Sequence, residues 1–183
     1  SIKEISVINE TQQATDALQA FAFRPFNGFL AYDHFYPLTN YEPISEEIAS
    51  NSIDLVVCFI GLHHIPAVKI EPFVASIARI IKPGGVFLLR DHDCYDAKIE
   101  SIIYGAHSIY NIVIPGESEE SERNEIRNFQ PLDYWITLLE SFGLEASGDR
   151  ILQDGDSSLN TMIKCTKIAR TAEEHIAQAT EGL

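Results

Sequence analysis

Apolar and polar positions divide the chain into short blocks. Ile53 to Ile60 is a near-continuous apolar run between Ser52 and Gly61, the pattern of a strand buried on both faces. From Phe73 to Ile81, Phe73, Ile77, Ile80 and Ile81 share one helical face, and Lys82-Pro83-Gly84-Gly85 ends the helix and turns the chain. Val86 to Leu89 reads as a second buried strand. Strand, helix and strand of about forty residues make one right-handed crossover of a parallel sheet.

Flanking blocks extend this unit. Ile2 to Ile8 reads as a short strand and Glu10 to Phe23 as a helix, followed by a turn at Arg24 to Gly28 and a short strand over Phe29 to Tyr32 that ends at Asp33-His34. Pro37 to Ser52 is mostly loop, with a helical turn at Ser45 to Ala49. Ala97 to Val113 has the apolar period of an amphipathic helix, with His107 and Tyr110 three apart on one face. Gly116 to Glu125 is an acid-rich break, read as a solvated loop or helix face. Phe129 to Leu144 is a helix whose buried side carries Tyr134, Leu138, Leu139 and Phe142, with Trp135 alongside. Leu144 to Leu152 and Leu159 to Thr166 form an antiparallel hairpin about Asp154 to Ser158, and Ile168 to Leu183 is a helical tail. The expected fold is α/β, a mostly parallel sheet flanked by helices and closed by a C-terminal antiparallel hairpin, in a single domain over residues 1–183.

Open parallel sheets bind ligands beyond the carboxyl ends of their strands. Gly61-Leu62-His63-His64-Ile65-Pro66 follows the first strand of the crossover and Arg90-Asp91-His92-Asp93 the second, so two polar clusters share one edge. His92 is the candidate proton acceptor, because a neutral imidazole beside carboxylates titrates near physiological pH. At the strand end one of His63 and His64 points inward to a ligand. Alternation sets Arg90 and His92 on one side and Asp91 and Asp93 on the other, with an Arg-Asp pair closing the sheet edge and Asp93 capping the helix that follows. Asp91, His92, Asp93 and His107 lack a specific metal-ligand spacing, so no metal is expected.

DLVVCFIGLHHIP followed by RIIKPGGVFLLRDHD resembles the second half of a Rossmann-like S-adenosylmethionine-dependent methyltransferase, and RDHDCYDAKIESIIYGAHSIYNIV resembles a subgroup with His-x-x-Tyr on the next helix. The likeness spans most of Ile53 to Lys167. It implies methyl transfer with S-adenosylmethionine as cofactor, bound weakly or not at all by this chain alone, because the family's GxGxG loop is missing from the sequence. The domain is then incomplete at its N-terminus, the mark of a fragment or a degenerate form. The implied cofactor contacts are Gly61, Leu62 and His63, with Glu10 at the ribose and Asp33 near the adenine. Glu10 also reads as a first-turn glutamate favoured by the helix dipole. The implied catalytic residues are His92, His63 and His107, and the implied substrate contacts Arg90, Asp91 and Tyr110. Core packing of Tyr110 beside an exposed His107 is the competing reading. In the family, the insertion matching the acid-rich break covers the substrate.

Composition narrows the partners. Hydrophobic content of 45% with 10% aromatic residues indicates a folded globule. Thirteen basic against 27 acidic side chains give a formal charge of −14, which repels phosphate backbones and disfavours broad nucleic-acid binding. Cys58, Cys94 and Cys165 have neither disulfide nor zinc-site spacing. The absence of a membrane-length apolar run points to a cytoplasmic protein. The methyl acceptor is not legible. The central strand absent from the resembled pattern leaves an edge that a partner chain could cover, and a non-catalytic interaction module of the same fold is the alternative function.

Overall fold

The computed structural model describes residues 4–9, 32–113, 118–152 and 154–169. The expected helix over Glu10 to Phe23, Glu10 itself, most of the strand expected at Phe29 to Tyr32 and nearly all of the tail lie outside the described residues. Two strands, β1 (Ser6–Asn9) and β2 (His34–Pro37), pair in parallel. The larger sheet contains β3 (Ile53–Phe59), β4 (Ile81–His92), β5 (Leu144–Leu152) and β6 (Asn160–Lys167) in the order β3-β4-β6-β5. β3 and β4 run parallel, with Val56 opposite Phe87 and Cys58 opposite Leu89. The β5–β6 hairpin is antiparallel and lies against β4. The helices are α1 (Ala67–Ile80), α2 (Ala97–Val113), α3 (Glu119–Asn124) and α4 (Leu132–Ser141).

Burial follows the pleat. Phe87 and Leu89 of β4 point into a core shared with Val74 and Ile77 of α1, Trp135 and Leu139 of α4, and Ile163 and Cys165 of β6. β3 departs from the expectation of burial on both faces: Leu55, Val57 and Phe59 are each about half exposed. The cause is position. Among the described residues β3 is an edge strand hydrogen-bonded only to β4, and its Leu55-Val57-Phe59 face has no covering helix there. Tyr134 likewise is exposed rather than buried, since α4 turns Leu132, Trp135 and Leu139 to the core.

The Lys82–Gly85 turn belongs to the start of β4 rather than to a loop outside it. Gly84 has φ of 79°, a left-handed value favouring glycine. A Cβ on Gly85 would meet the Lys82 carbonyl at 2.9 Å and the Asp54 carbonyl at 3.1 Å, so a glycine there lets β4 approach β3 as it leaves the helix.

Candidate active site

Because β3 and β4 are parallel neighbours, their carboxyl ends release the two polar segments side by side. Ile60 leaves β3 with φ of 54°, an unfavourable left-handed value for a β-branched residue, while its N–H still bonds to the Arg90 carbonyl at 2.6 Å. This bend turns Leu62–His64 into a single 3-10 turn. His63 is fully buried by it. Gly61 suits the bend, since a Cβ there would sit 3.1 Å from Cys58 Sγ.

Asp91 organises the junction. Its Oδ1 accepts from His63 Nδ1 at 2.5 Å and from the His92 backbone N–H at 2.8 Å, and its Oδ2 accepts from the Leu62 N–H at 3.1 Å. Burial by itself would raise this carboxyl, but the hydrogen bonds from His63 and from the His92 backbone hold it below the usual range. His92 donates Nδ1–H to the Ser158 carbonyl at 2.8 Å, and its Nε2 has no hydrogen-bond partner among the described residues. Burial lowers the pKa of His92, so its ring is neutral with an available lone pair.

His107 enters from α2. The buried stripe of that helix is Ile103, His107 and Asn111, spaced by four residues. His107 Nε2 lies 3.2 Å from His63 Nε2. His64 Nδ1 lies 3.3 Å from both the Ile126 carbonyl and Glu125 Oε1. The ring centroids of His64, His92 and His107 lie 4.1, 5.0 and 5.3 Å from that of His63, and Phe129 packs 5.0 Å from it. Burial, with His63 beside them, pushes His64 down to about 4 and His107 down to about 3.

The acid-rich break supplies residues that sequence reasoning missed. Asn111 Nδ2 donates to Glu122 Oε2 at 3.0 Å and to Glu125 Oε2 at 2.8 Å, and Arg127 pairs with both glutamates. Burial opposes the Glu122 charge, yet hydrogen bonds from Ser108, Arg127 and Asn111 carry its pKa down to about 2. The signal was Arg127 standing just after a run of acids. A cation beside buried carboxylates is a packing device, whereas the composition alone suggested solvent.

His63, His92, His107 and Asp91 are thus brought together, with Gly61 and Leu62 at the same bend. Other expected site residues are not. Tyr110 is 47% exposed while His107 is 8% exposed, because the four-residue stripe buries His107 and leaves a position three along on the flank. Arg90 pairs with Asp156 at 3.6 Å rather than with Asp91. Asp93 caps α4 instead of the next helix, accepting from the Leu132 N–H at 2.8 Å, and Asp96 takes the Ile99 N–H at the start of α2. Asp33 precedes β2 and accepts from the Ile5 N–H at 2.8 Å, which places it at the amino ends of that strand pair. Cys58 is held as a thiol, pushed up to about 12 by burial and then by the Asp91 charge.

Residues 38–89 match the family described as Methyltransferase domain. The chain is 30% identical over 87 residues to tRNA N(3)-cytidine methyltransferase METTL2 of Bos taurus, and 36% identical over 55 residues to that of Mus musculus. These alignments cover 48% and 30% of this chain but only 20% and 14% of the relatives. Among solved structures, a SAM-dependent methyltransferase from Methanosarcina mazei superposes with a TM-score of 0.60 at 15% identity, covering 91% of this chain and 83% of that one. A methyltransferase of Haloferax volcanii in complex with the activator Trm112 gives 0.56 at 14% identity, covering 93% and 85%. Sheet order and these superpositions give the chain the Rossmann-like α/β fold of those methyltransferases, and its residues 38–89 carry the match to a methyltransferase domain.

Proposed function

We propose that the protein containing this chain transfers a methyl group from S-adenosylmethionine to a nucleophile held over the carboxyl ends of β3 and β4, and that His92 takes the acceptor's proton. The observation that carries the reading is the unpartnered, buried Nε2 of His92. With Nδ1–H fixed on the Ser158 carbonyl, the ring keeps a lone pair on Nε2 and a set orientation, as a general base requires. Asp91 and His63 are positioning groups. The three donors on Asp91 tie the β3 bend to the end of β4, so both histidine-bearing segments keep their geometry as an acceptor arrives.

The residues present fit the cofactor at one end. Gly61 and Leu62 supply a side-chain-poor backbone bend at the strand end, where a Cβ on Gly61 would crowd Cys58, and they are the residues that would hold it. When bound, the cofactor supplies an electrophilic methyl group. The tRNA acceptor in the relatives' name is not carried over, because a charge of −14 opposes contact with a polyanion. The exposed edge and face of β3 support completion of the sheet by a further strand, from the same protein or a partner chain. A partner agrees with the activator-bound Haloferax volcanii neighbour.

Calorimetric titration of the full protein with S-adenosylhomocysteine should give micromolar binding, and His92→Asn should leave that binding intact while lowering turnover at least tenfold. Absence of binding would favour a non-catalytic interaction module, and wild-type turnover by the variant would remove His92 from the chemistry.

A further inference from the structure

We propose that the histidine cluster is a metal site: a divalent cation of the zinc class is held by His63, His64 and His107 through the ring nitrogens not used by their oxygen acceptors, with His92 beside the cluster. The ligand nitrogens of His63, His64 and His107 all lie within 4.8 Å of one another. Each ring has its Nδ1 beside an oxygen acceptor. His63 bonds to Asp91, His64 lies against the Ile126 carbonyl and Glu125, and His107 lies 3.4 Å from Glu125 Oε2. Metal-binding imidazoles are oriented in this way, the outer nitrogen donating to a carboxylate or carbonyl and the inner one binding the metal.

Proton counting strengthens the case. Asn111 Nδ2 also lies 3.2 Å from His107 Nδ1, but its two hydrogens point at Glu122 and Glu125. With the His107 proton on Nδ1, 3.4 Å from Glu125 Oε2, Nε2 is left a lone pair. His63 has its proton on Nδ1, facing Asp91, so its Nε2 is a lone pair as well. His63 Nε2 and His107 Nε2 stand 3.2 Å apart, a separation that a cation held by both nitrogens satisfies. A single proton can join only two of the nitrogens, whereas a metal ion joins all three. Two nitrogens about 2.0–2.1 Å from one tetrahedral zinc stand about 3.3 Å apart, close to the observed separation.

Charge and softness agree. Asp91, Glu122 and Glu125 bring three negative charges against the single positive charge of Arg127, a balance that a divalent cation neutralises. Three neutral imidazoles favour zinc, cobalt, nickel or copper over magnesium or calcium. Three histidines with a fourth position open match catalytic rather than structural zinc geometry. His92, whose Nε2 has no hydrogen-bond partner among the described residues, stands beside the cluster with its ring centroid 5.0 Å from that of His63. The site stands on this geometry and does not require methyl transfer.

The test is equilibrium dialysis of the protein against Zn(II) or Co(II), followed by metal analysis and visible spectroscopy. The wild type should retain one equivalent of Zn(II), and its Co(II) form should show the intense ligand-field bands of a tetrahedral or five-coordinate nitrogen site. His107→Gln should lose the bands. Glu125→Gln, at the outer partner of two rings and of Asn111 and Arg127, should weaken Zn(II) binding about tenfold or more. His34→Gln, at an exposed histidine paired with Glu4, should change neither, and circular dichroism reports whether each variant folds. No retained Zn(II) in the wild type, equal retention by folded His107→Gln, or equally tight Mg(II) would overturn the proposal. None of these outcomes alters S-adenosylhomocysteine binding, so failure here is distinct from failure of the methyl-transfer reading.

Discussion

His63 donates its Nδ1 proton to Asp91 at 2.5 Å, and the two residues come from the ends of adjacent parallel strands, 28 positions apart in the chain. The pair fixes the orientation of the His63 ring, and the other Asp91 oxygen holds the bend through the Leu62 N–H.

Asp91→Asn replaces an ion accepting three buried hydrogen bonds by an amide with one acceptor oxygen. It should destabilise the protein by about 2–4 kcal/mol, the range for leaving buried donors unsatisfied. A urea midpoint shifted at constant m-value is the expected result, together with loss of the hydrogen-bonded His63 Nδ1 proton resonance. An unshifted midpoint would mean that Asp91 does not hold the bend.

Asp93→Ala should cost about 1 kcal/mol by uncapping α4 at Leu132. Amide exchange should speed up in the first turn of α4 and stay unchanged in α2. The reverse pattern would restore the capping role expected from sequence.

Tyr110→Phe should leave stability and turnover within twofold of wild type, since the ring is half exposed and away from the His107 stripe. His107→Asn should reduce turnover. Equal damage by both would show that the two side chains share a pocket after all.

The metal-free protein should lose stability as pH falls, in two overlapping windows. Folded His64 and His107 are lowered to about 4 and about 3, while the unfolded rings protonate near 6.5. The unfolded chain therefore binds more protons in that interval, and stability falls as pH drops from about 6.5. Glu122, lowered to about 2 from the ordinary 4.5, adds stability that is complete above 4.5 and lost as pH falls through about 2. Urea midpoints between pH 7 and 4 should fall steadily; a flat profile would contradict both buried neutral imidazoles.

The crossover unit was legible because its signals are local. The apolar run at Ile53, the helix carrying Phe73, Ile77 and Ile80, and the Lys82–Gly85 turn each act within one element, and the structure keeps the parallel pairing and the terminal hairpin. The chemistry after each strand was legible for the same reason, since parallel neighbours must end at one rim. The exposed face of β3 was not, because an apolar run records what a strand can bury and not which neighbours cover it.

By itself, then, the sequence determined that His63, Asp91 and His92 share an edge. Only the tertiary structure decided which of them meet. Asp93 and Asp96 both can cap a helix, and long-range packing assigned them to α4 and α2. The histidine cluster joins the β3 bend, the end of β4, α2 and the segment after α3, whose ligands have no fixed spacing along the chain. Hydrogen bonds and metal-binding geometry act through space over a few ångströms, so residues 44 positions apart, like His63 and His107, reveal their relationship only once the chain has folded.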